Sequence, residues 1–190
     1  MILRRAFPAP AVRSSDLVSA HARDERRQWL LASLGLLAAV CTPARALEPP
    51  AGVVVLTLVG RVRNTNDGRR AQFDMAMLEG LPQQTLVTAT PWYAQARRFT
   101  GPFLRDVLAA AGAQGTTLRL TALNDYRVDM PFEDAQRHDV VVARLLDDKP
   151  LAVRDRGPLL VLYPFDARPE LRSAVYYGRS AWQLRTIEVL

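Results

Sequence analysis

The sequence predicts a single α+β domain, richer in strands than in helices, that follows an N-terminal export signal. Three observations predict this fold class. The chain has 190 residues, of which 49% are hydrophobic and 23% charged, a composition typical of one globular domain with a core. Short runs rich in β-branched residues recur between turn signals, whereas helical patterns are confined to a few short segments. No repeat or linker divides the domain, which we place at residues 47–190.

The first half of the domain is predicted to alternate strands with short helices. Runs of β-branched residues indicate the strands, and clusters of asparagine, aspartate and glycine indicate the turns. Asp74 is a suitable N-cap for a short helix that Gly80 closes, and Gly112 ends the helix that follows Pro102. In chain order, the elements are a strand over residues 53–59, a turn at 64–68, a return strand from Phe73, a helix over 75–78, a strand over 85–90 and a helix over 103–111.

The second half is predicted to consist mainly of short strands. Turns at residues 124–125 and 147–150 are rich in acidic residues, and Pro131 and Pro164 end the strands that they follow. In chain order, the elements are strands over residues 118–123 and 126–130, a helical turn over 132–136, a strand over 140–145, an extended stretch over 151–153, a strand over 159–163, a helix over 169–178 and a closing strand over 182–189.

Residues 1–46 are predicted to be a signal peptide with an extended N-region. Residues 29–41 form an uncharged apolar run of thirteen, which is short for a membrane span and typical of a signal-peptide core. Ala44-Arg45-Ala46 then predicts cleavage after Ala46. Arg26 and Arg27 directly precede the apolar run, so the signal is either of the twin-arginine type or a general secretory signal with two arginines. Either route predicts a periplasmic protein without a transmembrane segment after cleavage.

The charge of the chain is unevenly distributed between these two parts. The formal net charge is +6, of which residues 1–46 contribute +4 and the domain only +2. A domain so close to neutrality lacks the basic surface on which nucleic-acid binding depends. We therefore expect no nucleic-acid partner.

Missing residue types exclude several classes of enzyme. Cys41 is the only cysteine, so the domain itself offers no disulfide, thiolate nucleophile or iron–sulfur ligand. His138 is its only histidine, and we interpret it as a solvated loop residue. Ser173 and Ser180 are its only serines, and neither lies in a Gly-x-Ser-x-Gly setting. No glycine-rich nucleotide-binding motif is present.

Four local patterns and a fifth, weaker one follow one another along the domain. They are Thr-Leu-Val-Thr at 85–88, Phe-Thr-Gly-Pro-Phe-Leu-Arg-Asp-Val-Leu at 99–108, Asn-Asp-Tyr at 124–126 with Met-Pro at 130–131, Arg-Gly-Pro-Leu at 156–159 with Tyr-Pro at 163–164, and Trp-Gln-Leu-Arg-Thr-Ile at 182–187. In this order they resemble the molybdopterin-binding domain of the sulfite oxidase superfamily, in its short bacterial form. The resemblance covers about residues 53–190.

The resemblance implies a molybdopterin-binding domain of the oxidoreductase type, with one departure from the family pattern. In catalytic members, the strand that corresponds to residues 85–88 ends in a cysteine whose thiolate ligates molybdenum. Thr88 takes that place here, and a hydroxyl is a poor substitute for a soft thiolate. The resemblance therefore implies a molybdopterin ligand without a standard thiolate-ligated molybdenum centre, and it supplies no metal ligand.

The resemblance also implies the site residues. Tyr126 corresponds to the catalytic tyrosine and would donate a hydrogen bond to a substrate anion; alternatively, it packs on the sheet. The cofactor-binding candidates are Thr88, Thr90, Trp92, Asn124, Asp125, Arg154 and Arg156.

Each group of cofactor-binding candidates has a structural alternative. Trp92 would stack on a flat ring or fill the core. Asn124 and Asp125 would contact a pterin or serve only as turn residues. Arg154 and Arg156 would bind a phosphate or form a loop pair with Asp155.

Two functions remain open from the sequence. The first is a periplasmic molybdopterin-binding protein of oxidoreductase ancestry, which requires a bound pterin. The second is a non-catalytic periplasmic module on the same fold, which binds a small anion or a periplasmic or membrane protein partner. The missing cysteine favours the second function, and the overall pattern favours the first.

Overall fold

The computed structural model describes residues 47–190, so the predicted signal peptide and its cleavage site lie outside the described residues. The described chain contains eleven strands and four short helices, which confirms the predicted strand-rich α+β class. The strands are β1 (Val54–Gly60), β2 (Ala71–Asp74), β3 (Gln83–Thr90), β4 (Tyr93–Pro102), β5 (Thr117–Ala122), β6 (Arg127–Pro131), β7 (Val141–Ala143), β8 (Leu145–Leu146), β9 (Lys149–Pro150), β10 (Leu160–Leu162) and β11 (Leu184–Val189). The helices are α1 (Met75–Glu79), α2 (Leu104–Ala110), α3 (Phe132–Arg137) and α4 (Ala174–Arg179).

The largest sheet has five strands in the order β2-β1-β11-β5-β6. The last strand, β11, lies at its centre, parallel to β1 and antiparallel to β5, with Thr57 opposite Thr186. Apolar and polar residues alternate along these strands, so one face of the sheet is buried. Leu58, Leu120 and Ile187 are fully buried on that face, which forms one side of the core.

A second sheet has four strands in the order β3-β4-β8-β9, and β7 pairs separately with β10. Strand β4 was not predicted, because residues 93–98 are mostly polar or small and contain no β-branched residue. Its buried end packs closely on β7. A Cβ atom on Gly101 would lie 2.0 Å from the carbonyl oxygen of Val142, so only glycine allows this approach.

Helix α1 begins as the sequence predicts. The Asp74 carboxylate accepts hydrogen bonds from the backbone N–H of Met77 at 2.8 Å and of Gly52 at 2.7 Å. These bonds, the one from Met77 first, lower the pKa of Asp74 because they stabilise the ionised carboxylate. Gly80 follows the last helical residue.

Three elements in the second half differ from the prediction. The strand predicted over 140–145 is divided between two sheets, since Arg144 turns to donate hydrogen bonds to Gln83 and Glu79. The stretch predicted as extended at 151–153 leads into a 3-10 turn over Val153–Asp155. The helix predicted over 169–178 becomes a 3-10 turn, Pro169–Leu171, followed by α4. None of the helices in residues 47–190 has both the length and the hydrophobicity needed to span a bilayer.

The interpretation of His138 as a solvated loop residue was wrong. His138 ends α3, and its side chain is largely buried between the rings of Tyr163 and Tyr176, at centroid distances of 6.2 and 5.7 Å. The polar neighbours of His138 in the sequence suggested exposure. The fold instead covers it with aromatic residues that are distant along the chain.

Candidate functional site

A cleft of about 270 Å³ opens between the β5–β6 turn and the segment that joins α4 to β11. It is lined by Ala122, Asn124, Tyr126, Tyr177, Gly178, Ser180, Trp182 and Gln183. The walls are mainly aromatic, and the polar groups lie at the edges. This combination of an apolar concavity with a few polar groups is typical of a binding site.

Tyr126 stands at the mouth of the cleft, half-exposed. Its hydroxyl donates a hydrogen bond to the carbonyl oxygen of Gly178 at 3.1 Å, which ties the β5–β6 turn to helix α4. The hydroxyl proton is therefore engaged, and the oxygen remains able to accept a hydrogen bond. The structure thus brings Tyr126 and Asn124, two of the predicted site residues, into one cleft.

Asn124 and Asp125 form the turn that carries Tyr126. The side-chain oxygen of Asn124 accepts a hydrogen bond from the backbone N–H of Tyr126 at 3.2 Å. Asp125 adopts the left-handed conformation, with φ of 62°, and its carboxylate accepts a hydrogen bond from Arg185 at 2.9 Å. Asn124 lines the cleft, whereas Asp125 is absent from its lining.

Trp92 lies behind the cleft and does not line it. Its ring packs edge-to-face against Trp182, Tyr177 and Phe165, at centroid distances of 5.4, 6.1 and 6.5 Å. This position corresponds to the core-filling alternative. Trp182, which the sequence placed only in the closing strand, is the tryptophan that faces the cleft. The Trp-x-Leu-x-x-Ile pattern was a signal for that strand but not for the orientation of the ring.

Arg156 packs against the aromatic rings beside the cleft. Its guanidinium lies 4.6 Å from the centre of the Trp182 ring and 4.9 Å from that of Tyr93. Within residues 47–190 it forms no ion pair, and its buried Nε atom has no hydrogen-bond partner. Cation–π contacts therefore hold this charge in place, while its terminal N–H groups are free to bind an anion.

Arg154 faces a different hollow from Trp182. Its side chain is almost fully exposed and lies 3.6 Å from the carboxylate of Asp155. With Tyr93, Arg97 and Lys149, it lines a surface hollow of about 350 Å³. The two arginines predicted as one phosphate site therefore have different surroundings: Arg154 lines this hollow, and Arg156 packs on Tyr93 and Trp182.

Thr88 and Thr90 are buried at the end of β3 and are absent from the lining of the cleft. The Thr88 hydroxyl accepts a hydrogen bond from the backbone N–H of Asp166 at 3.1 Å and donates one to the carbonyl of Ala89 at 3.3 Å. The Asp166 carboxylate in turn accepts a hydrogen bond from the Ala89 N–H at 2.8 Å. The buried hydroxyl of Thr90 has no hydrogen-bond partner in the described part of the chain.

A buried polar cluster supports α4 beneath the cleft. The carboxylate of Asp134 accepts hydrogen bonds from the Tyr163 hydroxyl at 2.7 Å and from Arg179 at 2.9 Å. Burial raises the pKa of Tyr163, and the hydrogen bond to Asp134 raises it further, because both disfavour the phenolate. Arg179 directly follows Gly178, so this cluster fixes the position of the Gly178 carbonyl, which accepts the hydrogen bond from Tyr126. Sequence reasoning did not find this cluster.

The described residues offer no ready-made metal site. Across residues 47–190, no three histidine, cysteine, aspartate or glutamate side chains are grouped so that they could hold a metal ion. The candidate site is the cleft, and its chemistry is aromatic stacking with a cationic group nearby.

The fold is that of a molybdopterin-binding domain, as the match to a family model shows. The family model described as "Oxidoreductase molybdopterin binding domain" matches residues 64–167, which is more than half of the chain. The chain belongs to this family, and the resemblance predicted from its sequence patterns is confirmed. The matched region includes Thr88, Tyr126, Arg154 and Arg156 but ends before Trp182.

Comparison with solved structures supports the same fold. The sulfane dehydrogenase SoxCD from Paracoccus pantotrophus is similar, with a TM-score of 0.51 and 16% sequence identity. The match covers 70% of this chain and 37% of that chain, so this chain spans little more than a third of its neighbour's length. At this identity the likeness concerns the fold alone. The search of curated proteins found no match.

Proposed function

We propose that this chain is exported to the periplasm, where its molybdopterin-type domain works as a binding module and not as a redox enzyme. The observation that carries the proposal is the position of Thr88. By the family pattern, this residue replaces the metal-ligating cysteine, and its hydroxyl is buried and already hydrogen-bonded to Asp166 and Ala89.

The donor set around Thr88 does not fit a thiolate-ligated metal. Molybdenum in this fold takes a soft thiolate from the protein, whereas a neutral hydroxyl is a hard, weak donor. Cys41, the only cysteine, precedes the predicted cleavage after Ala46 and would be lost on export. We therefore derive no redox step for this domain.

The cleft supports the binding part of the proposal. Tyr126, Tyr177 and Trp182 provide apolar walls, and Arg156 places a cation beside them. Such a site suits an aromatic group that carries or adjoins a negative charge. The family's pterin has this chemistry, and so does a protein segment with an aromatic and an acidic side chain.

The experiment is a molybdenum and absorbance analysis of the protein isolated from the periplasm of a host that makes molybdopterin. We expect colourless protein with far less than one molybdenum atom per chain, and N-terminal sequencing is expected to begin at Leu47. A cysteine-containing member of the family, expressed in the same host, is the control that shows that cofactor is being supplied. Stoichiometric molybdenum, or a protein retained in the cytoplasm, would overturn the proposal.

A further inference from the structure

Four exposed apolar side chains surround the mouth of the cleft; we call Leu123, Tyr126, Val153 and Trp182 the apolar collar. They are 42%, 47%, 52% and 37% exposed, and they make up half of the large apolar side chains exposed in residues 47–190. Gln183 joins them: its carbonyl accepts from the N–H of Leu123, and its side chain donates to the carbonyl of Val153, both at 2.9 Å. These bonds place Leu123 and Val153 next to Gln183, which lines the cleft with Tyr126 and Trp182.

The backbone around the apolar collar is strained. Six non-glycine residues in the described part of the chain have positive φ, and three of them, Asp125, Arg156 and Gln183, adjoin this surface. Their φ angles are 62°, 73° and 53°. Non-glycine residues rarely adopt this conformation, and such residues gather at binding sites. The hydrogen bonds of Asp125 with Arg185, and of Gln183 with Leu123 and Val153, fix the backbone from which Tyr126 and Trp182 project.

The extent of the apolar collar beyond the cleft favours a polypeptide over a small ligand. The cleft itself has a volume of about 270 Å³ and three aromatic lining residues. It suits one large side chain. Leu123 and Val153 lie outside the cleft lining, so a ligand confined to the cleft would leave both in water. A chain that crosses the mouth would cover them.

The charges next to the apolar collar favour an acidic partner. Arg156 has no ion pair within residues 47–190, and Arg154 lies 3.6 Å from its only one, Asp155, with its side chain almost fully exposed. The acidic Asp125 is already engaged by Arg185. The uncompensated charge beside this surface is therefore positive, and it complements carboxylates on the partner.

We propose that the apolar collar and the cleft dock an extended acidic segment of a partner protein. One aromatic side chain of the segment enters the cleft against Trp182, and acidic side chains next to it bind Arg154 and Arg156. The proposal rests on the proposed binding function and specifies its partner. Such an interface concentrates its energy in a buried aromatic anchor, while the charges select the partner.

The test is selection of random twelve-residue peptides on the exported protein, with counter-selection on a Trp182→Ala variant. We expect the enriched peptides to share an aromatic residue flanked by aspartate or glutamate. The strongest peptide is then synthesised and its Kd measured against two collar variants, Leu123→Asp and Arg154→Glu. Each should weaken binding at least tenfold. Leu123→Asp introduces a charge that repels the acidic segment, and Arg154→Glu removes a charge that attracts it.

Val87→Asp is the matched control, since Val87 is an exposed apolar residue on β3, outside the apolar collar. It should leave the Kd unchanged, and circular dichroism should show that all variants are folded. Peptides without the aromatic and acidic pattern, or equal loss of binding in Leu123→Asp and Val87→Asp, would overturn the docking proposal. Shifts of the Trp182 indole NMR signal by pterin-6-carboxylate, with no peptide enriched, would also overturn it and leave the binding function standing. Stoichiometric molybdenum would count against the binding function, whatever the peptides do.

Discussion

The Thr88 hydroxyl has a structural role at the end of β3. Its oxygen accepts a hydrogen bond from the backbone N–H of Asp166, and this bond connects the end of β3 to the segment after β10. Asp166 reinforces the same connection through Ala89. The Thr88 hydroxyl therefore contributes a hydrogen bond between distant parts of the chain.

Thr88→Val is expected to lower the free energy of unfolding by about 1 kcal/mol, because it leaves the Asp166 N–H without its partner at nearly constant volume. Urea denaturation measures the loss. Thr85→Val, in the same strand but exposed, is the matched control and should change stability by less than about 0.5 kcal/mol. An equal effect of the two substitutions would show that the Thr88 hydrogen bond contributes nothing specific.

Tyr163 links stability to alkaline pH. Its pKa is raised in the folded protein, chiefly by burial, so the folded state keeps a proton that the unfolded state loses above a pH of about 10. The stabilising contribution is therefore complete below that pH and declines as the pH rises further. The hydrogen bond to Asp134 and the buried ring are the structural causes.

Between pH 9 and pH 11, the wild-type protein is expected to lose about 1 kcal/mol more stability than Tyr163→Phe. Urea denaturation at the two pH values measures this difference. The phenylalanine variant keeps the ring and the Asp134–Arg179 pair but has no proton to lose. Parallel pH dependence in the two proteins would contradict the assignment of the effect to Tyr163.

Among the elements, the stability of α1 depends more on its N-cap residue, Asp74, than on its length. A helix of five residues has little intrinsic stability, so its N-cap and packing must hold it. Asp74 supplies that cap and also accepts a hydrogen bond from the N–H of Gly52, which joins the segment before β1 to the helix.

Asp74→Ala is expected to lower Tm by several degrees, because it removes both hydrogen bonds, whereas Asp74→Asn should retain most of the wild-type Tm. Asparagine is an effective N-cap without the charge, so this pair separates the capping bond from electrostatics. Differential scanning calorimetry provides the measurement. Equal Tm losses in the two variants would assign the effect to the charge.

The elements that sequence reasoning located share a strong local signal. Strand β1 has a run of β-branched residues, and α1 has its capping aspartate. Strand β4 lacks such a signal: it forms a hairpin with β3 across Pro91 and Trp92, and its contacts with β7 and β8 come from distant residues. The split at Arg144 is similar, since its partners Gln83 and Glu79 lie about sixty residues earlier.

The residues of the site, like the elements, were predictable only where a local sequence pattern marks them. Asn124 and Tyr126 came from a local pattern and do line the cleft. Trp182 and Tyr177 were missed as lining residues because tertiary packing alone decides that they face it. Trp92 and Thr88 were predicted to bind a cofactor, but the fold turns both away from the cleft, one into an aromatic cluster and one into a hydrogen bond.

At the scale of the whole molecule, the sheets pack around one shared hydrophobic core. The central strand β11 contributes Ile187, which is fully buried, and Arg185 on its exposed side. Because β11 pairs on both sides, a fault in it affects the entire five-stranded sheet.

Ile187→Asp is expected to abolish cooperative unfolding, since burial of an unpaired carboxylate costs several kcal/mol against a total stability of roughly 5–15 kcal/mol. Circular dichroism during thermal denaturation measures the transition. Arg185→Ala, two residues earlier on the exposed side of the same strand, should keep a cooperative transition. A normal transition in Ile187→Asp would mean that β11 is not an obligatory part of the sheet.

The central position of β11 also has a consequence for how the protein is made. Strand β1 is synthesised early, but its parallel partner β11 follows only after every other strand of the domain. A nascent chain that lacks β11 presents open edges on both β1 and β5, and such edges can pair with other chains. The five-stranded sheet therefore cannot be completed until synthesis has passed Val189, and until then both edges are open to pairing with other chains.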